Sequence, residues 1–216
     1  MFPPEPTIRR GLFFSFEGVD GSGKSTQARL LIQALQKAGH EVVLVREPGG
    51  TPLGEQIRRL LLDPTSEIVP RSELLLFGAA RAQLVETVIE PALSAGHHVV
   101  VDRYVDSTVA YQGGGRGLGT AASLRPLLQF ATGGRMPDRT YLVTTPISEA
   151  AQRRQNRSAD RMEQTTEEFR SRVAEAYSHV AADEPKRVLT IDGRGAPAEV
   201  HERIWEDANG LLDRAD

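Results

Sequence analysis

Short apolar runs alternate along this chain with longer stretches of helical periodicity. Residues 12–16, 42–45, 98–102, 140–144 and 188–191 are apolar runs too short for helices, as strands buried in a parallel sheet read. Between them apolar positions recur every three or four residues. Ala28, Leu31, Ile32, Leu35 and Ala38 form one such series, with Gly39 as its stop. Leu53, Ile57, Leu60 and Leu61 form another. Phe169, Val173, Ala176, Tyr177 and Val180 form a third, and Val200, Ile204, Ala208 and Leu211 a fourth. Residues 71–95 read as one long helix or two abutting ones, with Pro91 at the kink or restart. Residues 120–132 also read as helical. Met1 to Arg10, with three prolines, reads as a loose tail. Strands alternating with helices predict one doubly wound α/β domain over residues 1–216. Its five-stranded parallel sheet would be flanked by helices on both faces.

The first strand runs directly into Gly18-Val19-Asp20-Gly21-Ser22-Gly23-Lys24-Ser25-Thr26, and a helical pattern begins behind it. Strand, Gly-x-x-x-x-Gly-Lys-Ser and helix in that order define a P-loop. The glycines let backbone N–H groups close on a phosphate, and the helix N-terminus adds partial positive charge. Lys24 reaches the β- and γ-phosphates as a point charge, and the Ser25 hydroxyl is a ligand for Mg²⁺. A second glycine cluster, Gly113 to Gly119, lacks the dinucleotide-binding register and reads as a flexible loop.

Composition narrows the class. The chain has 216 residues, a formal net charge of -3 and no cysteine. Nonspecific nucleic-acid or membrane binding is not expected from that charge, and disulfides and thiolate metal sites are excluded. No targeting segment or membrane-length apolar run is visible, so a cytoplasmic enzyme is expected.

Further candidates lie at strand ends, where ligands gather in such sheets. Arg46 and Glu47 follow the second strand, in a run that also reads as a plain turn. Arg58 and Arg59 lie off the apolar face of their helix and read first as solvated. Phe77 and Arg81 share a helix face, which suits base stacking, though the spacing alone favours a core Phe with a surface Arg. Asp102 ends the third strand, where an acid organises Mg²⁺, and Arg103 follows it. Arg153, Arg154, Arg157 and Arg161 make a basic stretch that reads as a lid over about 153–163, with Asp160 and Glu163 beside it.

Taken together, Phe16–Thr26, Arg46–Thr51, Leu76–Arg81, Asp102–Gly113 and Asp160–Glu163 make the chain resemble the thymidylate kinases. The resemblance extends from Phe13 to about Asp192. It implies phosphoryl transfer from MgATP to dTMP, giving dTDP and ADP, by a homodimer of the bacterial type with lid arginines. It assigns Phe77 to the thymine ring and Arg81 to its edge. Arg58 and Arg103 would hold the dTMP phosphate. Asp20 would meet the sugar 3′-hydroxyl or position an arginine, and Glu47 would orient the sugar-phosphate end. Tyr111 would crowd C2′, and Ser107, Thr108 and Gln112 would line the pocket. Lys24, Arg103, Asp102, Arg154 and Arg161 would be the catalytic set; Ser25, Asp102 and Glu163 would serve the metal. One departure is Leu142-Val143-Thr144-Thr145, where the family usually carries an Asp. A deoxynucleoside kinase, with Glu17 or Asp102 as base, and an acceptor-independent nucleotide switch are the alternatives.

Overall fold

The computed structural model describes residues 10–153 and 160–215. The predicted tail, apart from Arg10, and the candidate Arg154 lie outside the described residues. The described residues include five strands: β1 (Phe13–Glu17), β2 (Val42–Arg46), β3 (His98–Asp102), β4 (Arg139–Thr144) and β5 (Val188–Asp192). All pair in parallel, in the order β2-β3-β1-β4-β5. The helices are α1 (Lys24–Lys37), α2 (Pro52–Leu62), α3 (Pro70–Leu84), α4 (Glu90–Ser94), α5 (Val105–Thr108), α6 (Ala121–Thr132), α7 (Ile147–Gln152), α8 (Glu167–Asp183) and α9 (Pro197–Ala215). Among these helices none is long and apolar enough to cross a membrane.

The two-residue period of the strands sorts the core into layers. Phe13, Val99, Val101 and Leu142 pack toward one face, against α8 residues Phe169, Val173 and Tyr177 among others. Phe14, Phe16, Val100, Tyr141 and Val143 point to the other face, against the apolar stripes of α1 and α9. β1, in the middle, is buried at every position. The chain segment that follows it is therefore anchored on both sides. β2 is an edge strand, so only Val45 of its apolar run is buried and Leu44 is exposed; the expectation of burial on both faces fails there.

Two other local expectations change. Residues 70–94 form one continuous helical rod, but its middle, Val85–Ile89, widens into a π turn in which the Glu90 N–H reaches the Val85 carbonyl. Pro91 follows at the start of the restored α-helix, where its missing N–H is accommodated.

The first half of the glycine cluster is helical, and only Arg116 to Gly119 form a turn and loop. Val109–Gly115 continues α5 as a second π turn, and Gly113 and Gly115 are buried. A Cβ on Gly114 would sit 2.6 Å from the Ala176 Cβ, and one on Gly115 would sit 2.6 Å from the Phe169 ring. These glycines make room for the Ala176 methyl and the Phe169 ring of α8, a requirement set by a partner some sixty residues further along.

Candidate active site

The C-terminal edge of the sheet carries the functional groups, as a parallel sheet dictates. β1 delivers the P-loop, β2 delivers Arg46 and Glu47, and β3 delivers Asp102 and Arg103. Together with α2, α3 and the α5 rod they enclose one cleft of about 410 Å³. Its lining includes Lys24, Arg58, Phe77, Arg81, Arg103 and Arg153.

The P-loop is held tightly. Gly18 has φ 136°, and a Cβ there would lie 2.3 Å from the Val143 carbonyl oxygen. Gly23 caps α1 at φ 102° without a side-chain hydrogen bond, and the first turn of α1 has no acid. By contrast α2, α6 and α8 are capped by the hydroxyls of Thr51, Thr120 and Thr166. The uncapped, acid-free start of α1 is suited to an anionic ligand.

Asp20 is the electrostatic centre. Its Oδ1 lies 2.5 Å from Arg103 Nη2 and 3.4 Å from Lys24 Nζ, and its Oδ2 accepts from the Tyr111 hydroxyl at 3.0 Å. Burial works to raise the Asp20 carboxyl, but Arg103 and Lys24 outweigh it and hold it well below the usual range. Burial, with the Arg103 charge, pushes the Lys24 ammonium down, against Asp20 and Asp102. Arg103 is fixed from every side. Its Nη1 donates to the Gly18 carbonyl at 3.1 Å, to Ser107 Oγ at 3.1 Å and to the Tyr177 hydroxyl at 3.2 Å. Its Nη2 also donates to the Tyr111 hydroxyl at 3.1 Å. Its backbone has φ 74°, strain that this surrounding web sustains.

Arg81 and Phe77 reverse the simple expectation for their helix. Arg81 is the buried partner, only 1% exposed, while Phe77 is half-buried and lines the cleft. Arg81 Nε donates to Glu47 at 2.8 Å, Nη1 to Thr108 Oγ1 at 2.9 Å and Nη2 to the Tyr104 carbonyl at 3.0 Å. Burial would lower its proton affinity; the Glu47 carboxylate more than offsets that. Arg58 donates to the Pro48 carbonyl at 2.9 Å and faces the cleft, whereas Arg59 is exposed.

Ser107, Thr108, Tyr111, Gln112 and Glu163 line the cleft as well. The Ser25 hydroxyl hydrogen-bonds Asp102 Oδ2, and Asp102 Oδ1 is buried without a partner. A hydroxyl and an under-satisfied carboxylate side by side fit a hydrated divalent cation.

Arg161 is placed elsewhere. Its Nη2 pairs with Glu73 at 2.8 Å and its Nε donates to the Leu61 carbonyl at 2.7 Å, so it is absent from the cleft lining. Arg153 is the described arginine of that stretch at the P-loop, donating to Gly21 and Ser22 carbonyls at 3.4 and 3.3 Å. Tyr177, Glu73 and Tyr104 were not singled out from the sequence as site residues, because each reads as one more position on an amphipathic or buried segment.

Glu17, the alternative base, is sealed beneath the site and does not line the cleft. It accepts from the Tyr104 N–H at 2.7 Å, Ser107 Oγ at 2.6 Å and the Tyr177 hydroxyl at 2.9 Å.

This fold and this cleft define a P-loop phosphotransferase of the nucleotide kinase class. The sequence model of the family described as thymidylate kinase matches residues 16–204. The thymidylate kinase of Caldanaerobacter subterraneus subsp. tengcongensis is 45% identical over 195 residues, covering 90% of this chain and 93% of that one. That of Rhizorhabdus wittichii is 46% identical over 206 residues, covering 94% and 99%. The crystal structure of thymidylate kinase from Ehrlichia chaffeensis superimposes with a TM-score of 0.75 at 32% identity, covering 92% of this chain and 99% of that one. The chain belongs to the thymidylate kinase family.

Burial, with the Asp106 charge, pushes Glu17 up to about 7, against its hydrogen bond from Ser107 and the Arg103 charge. A carboxyl raised from 4.5 binds its proton more tightly folded than unfolded, so its stabilising contribution is full below pH 4.5 and fades as pH rises through about 7. Glu17→Gln should remove this loss. Urea unfolding from pH 5 to 8 is expected to shift in favour of the variant as pH rises, by roughly 3 kcal/mol at most. A difference that stays flat across that range would contradict the assignment.

Proposed function

We propose that the chain works as one kinase domain that transfers the γ-phosphoryl group of ATP to dTMP, giving dTDP and ADP. The observation that carries this reading is the shared carboxylate of Asp20. It holds the P-loop lysine on one side and Arg103 on the other within a single cleft. A nucleotide switch needs only the first cation. An enzyme whose acceptor brings its own phosphate needs both.

The acceptor phosphate has a second pKa near 6 and is largely dianionic at neutral pH, so no general base is required. The obstacle is repulsion between two anions. The P-loop amides and Lys24 hold the donor phosphates. Arg103 and Arg58 hold the acceptor phosphate, and Phe77 packs on the base. Arg103 stays charged, because Asp20 outweighs its burial and raises it well above its usual value. Lys24 can exchange Asp20 for phosphate oxygens, since its ammonium is held loosely, 3.5 Å from the Val19 carbonyl and 3.4 Å from Asp20. Ser25 and Asp102 would hold Mg²⁺, with Glu163 nearby on the cleft wall; the ion supplies neutralising charge to the donor phosphates. Catalysis on this reading is positioning plus charge.

The direct test is ADP release from MgATP with dTMP, thymidine, dCMP and AMP offered separately. Turnover dependent on dTMP, with little on thymidine, is expected. Turnover on thymidine, or none that needs an acceptor, would overturn the reading. In the same assay Lys24→Ala should lower kcat on the order of 100-fold or more with the dTMP KM within about threefold; near-normal turnover would contradict its role.

We also infer a homodimer. The support is apolar exposure on neighbouring helices: Leu60 on α2 is 54% exposed, Leu75 on α3 60% and Phe130 on α6 91%. Such side chains on adjoining elements suit a buried interface. Sedimentation velocity at micromolar concentration should give twice the 23.6 kDa chain mass, and Phe130→Glu should lower the dimer fraction. A native monomer under those conditions would remove the inference.

A further inference from the structure

Beneath the cleft wall lies a buried carboxylate that the phosphoryl-transfer chemistry does not use. Glu73, in the first turn of α3, is fully buried. Its Oε1 accepts from Gln112 Nε2 at 2.9 Å and Arg116 Nε at 3.1 Å. Its Oε2 accepts from Arg116 Nη2 at 3.1 Å and pairs with Arg161 Nη2 at 2.8 Å. Burial works against its charge, but Arg116, Gln112 and Arg161 together hold it below the ordinary carboxylate range.

An ionised carboxylate only accepts hydrogen bonds. Gln112 is itself 1% exposed, and a carbonyl turned toward Glu73 would set two acceptor oxygens against each other. The NH₂ end must therefore face Glu73. Gln112 also lines the cleft, and its carbonyl Oε1 has no partner among the described residues. A charged group that never touches substrate thus decides which pole of a neutral amide is available to it. Thr108 is treated the same way: its Oγ1 accepts from Arg81, which leaves its hydroxyl proton to donate. The wall offers one acceptor and one donor of fixed sense. That pair matches an N–H beside a C=O, the edge of thymine or uracil. It opposes an unprotonated ring nitrogen beside an amino group, the edge of cytosine.

We propose that Glu73 is a specificity-positioning residue: it locks the Gln112 amide so that the pocket accepts pyrimidines with a ring N–H and rejects aminopyrimidines. The proposal rests on the reading of the cleft as a dTMP site. Polar mismatch of a buried group is the strongest discriminator that a pocket has, because the wrong ligand leaves that group unpaired.

The test is kcat/KM for dTMP and for dCMP in the native chain, Glu73→Gln, Gln112→Ala and the double variant. A glutamine at 73 still accepts from both arginines, yet it can donate to Gln112 and so lets the amide flip. The dTMP:dCMP ratio is expected to fall at least tenfold in Glu73→Gln. The fall should come through KM, with kcat changed less than threefold. Gln112→Ala should lower the ratio comparably, and the double variant should fall no further than Gln112→Ala alone. A folded Glu73→Gln enzyme that keeps the native ratio within twofold would overturn the proposal, and so would effects of the two changes that multiply. A native enzyme with no dTMP turnover would overturn the functional reading itself, and the proposal with it. Should Glu73→Gln not fold, the Gln112 side-chain amide protons of the native chain carry the test by NMR. Slow solvent exchange and shifts that dTMP leaves in place are expected; amide protons that move into contact with the base would refute the lock.

Discussion

Asp20 separates two cations that would otherwise repel each other across the floor of the cleft. Lys24 and Arg103 are both buried or nearly so, and each lowers the other's tolerance for charge. A single carboxylate between them favours the charged form of both. The Arg103 side is tightened further by Tyr111, Ser107 and Tyr177. The Lys24 side is loose, with contacts of 3.4 and 3.5 Å. On the proposed reading that asymmetry divides the labour: one cation would be a fixed seat, and the other would follow the donor phosphates.

The sheet makes this arrangement possible. β1 is the central strand and buried throughout, so the loop that leaves it has little freedom. β3 is its immediate neighbour and pairs Phe16 with Asp102. Asp20 and Arg103 therefore leave adjacent strands at the same level. Below them Glu17, Ser107 and Tyr177 form a hydrogen-bonded platform that links β1, α5 and α8. Glu17 is kept away from the cleft by these partners, which removes it as a base and makes it a support.

The strands, the P-loop and the order of the helices were legible in the sequence because each depends on a local pattern. An apolar run of strand length, or Gly-x-x-x-x-Gly-Lys-Ser behind one, carries its own signal. The failures have a common physical form. Arg81 reads as a surface cation until Glu47, 34 residues away, is placed against it. Gly113 to Gly115 read as a loop until α8 is packed on them. Arg161 reads as a catalytic cation until Glu73 claims it. In each case the deciding partner is distant in sequence and leaves no mark on the local pattern.

The central claim is that Arg103 is a preformed seat for the acceptor phosphate, distinct from the donor site. The most direct measurement is steady-state kinetics of Arg103→Lys, with ATP-analogue binding measured alongside. Lysine keeps the charge but loses the planar fork that meets Gly18, Asp20 and Tyr111 at once. The account expects the dTMP KM to rise at least tenfold and kcat/KM to fall on the order of 100-fold, with analogue affinity within about threefold of native. A variant that keeps its dTMP KM, or that loses donor and acceptor binding in equal measure, would contradict it.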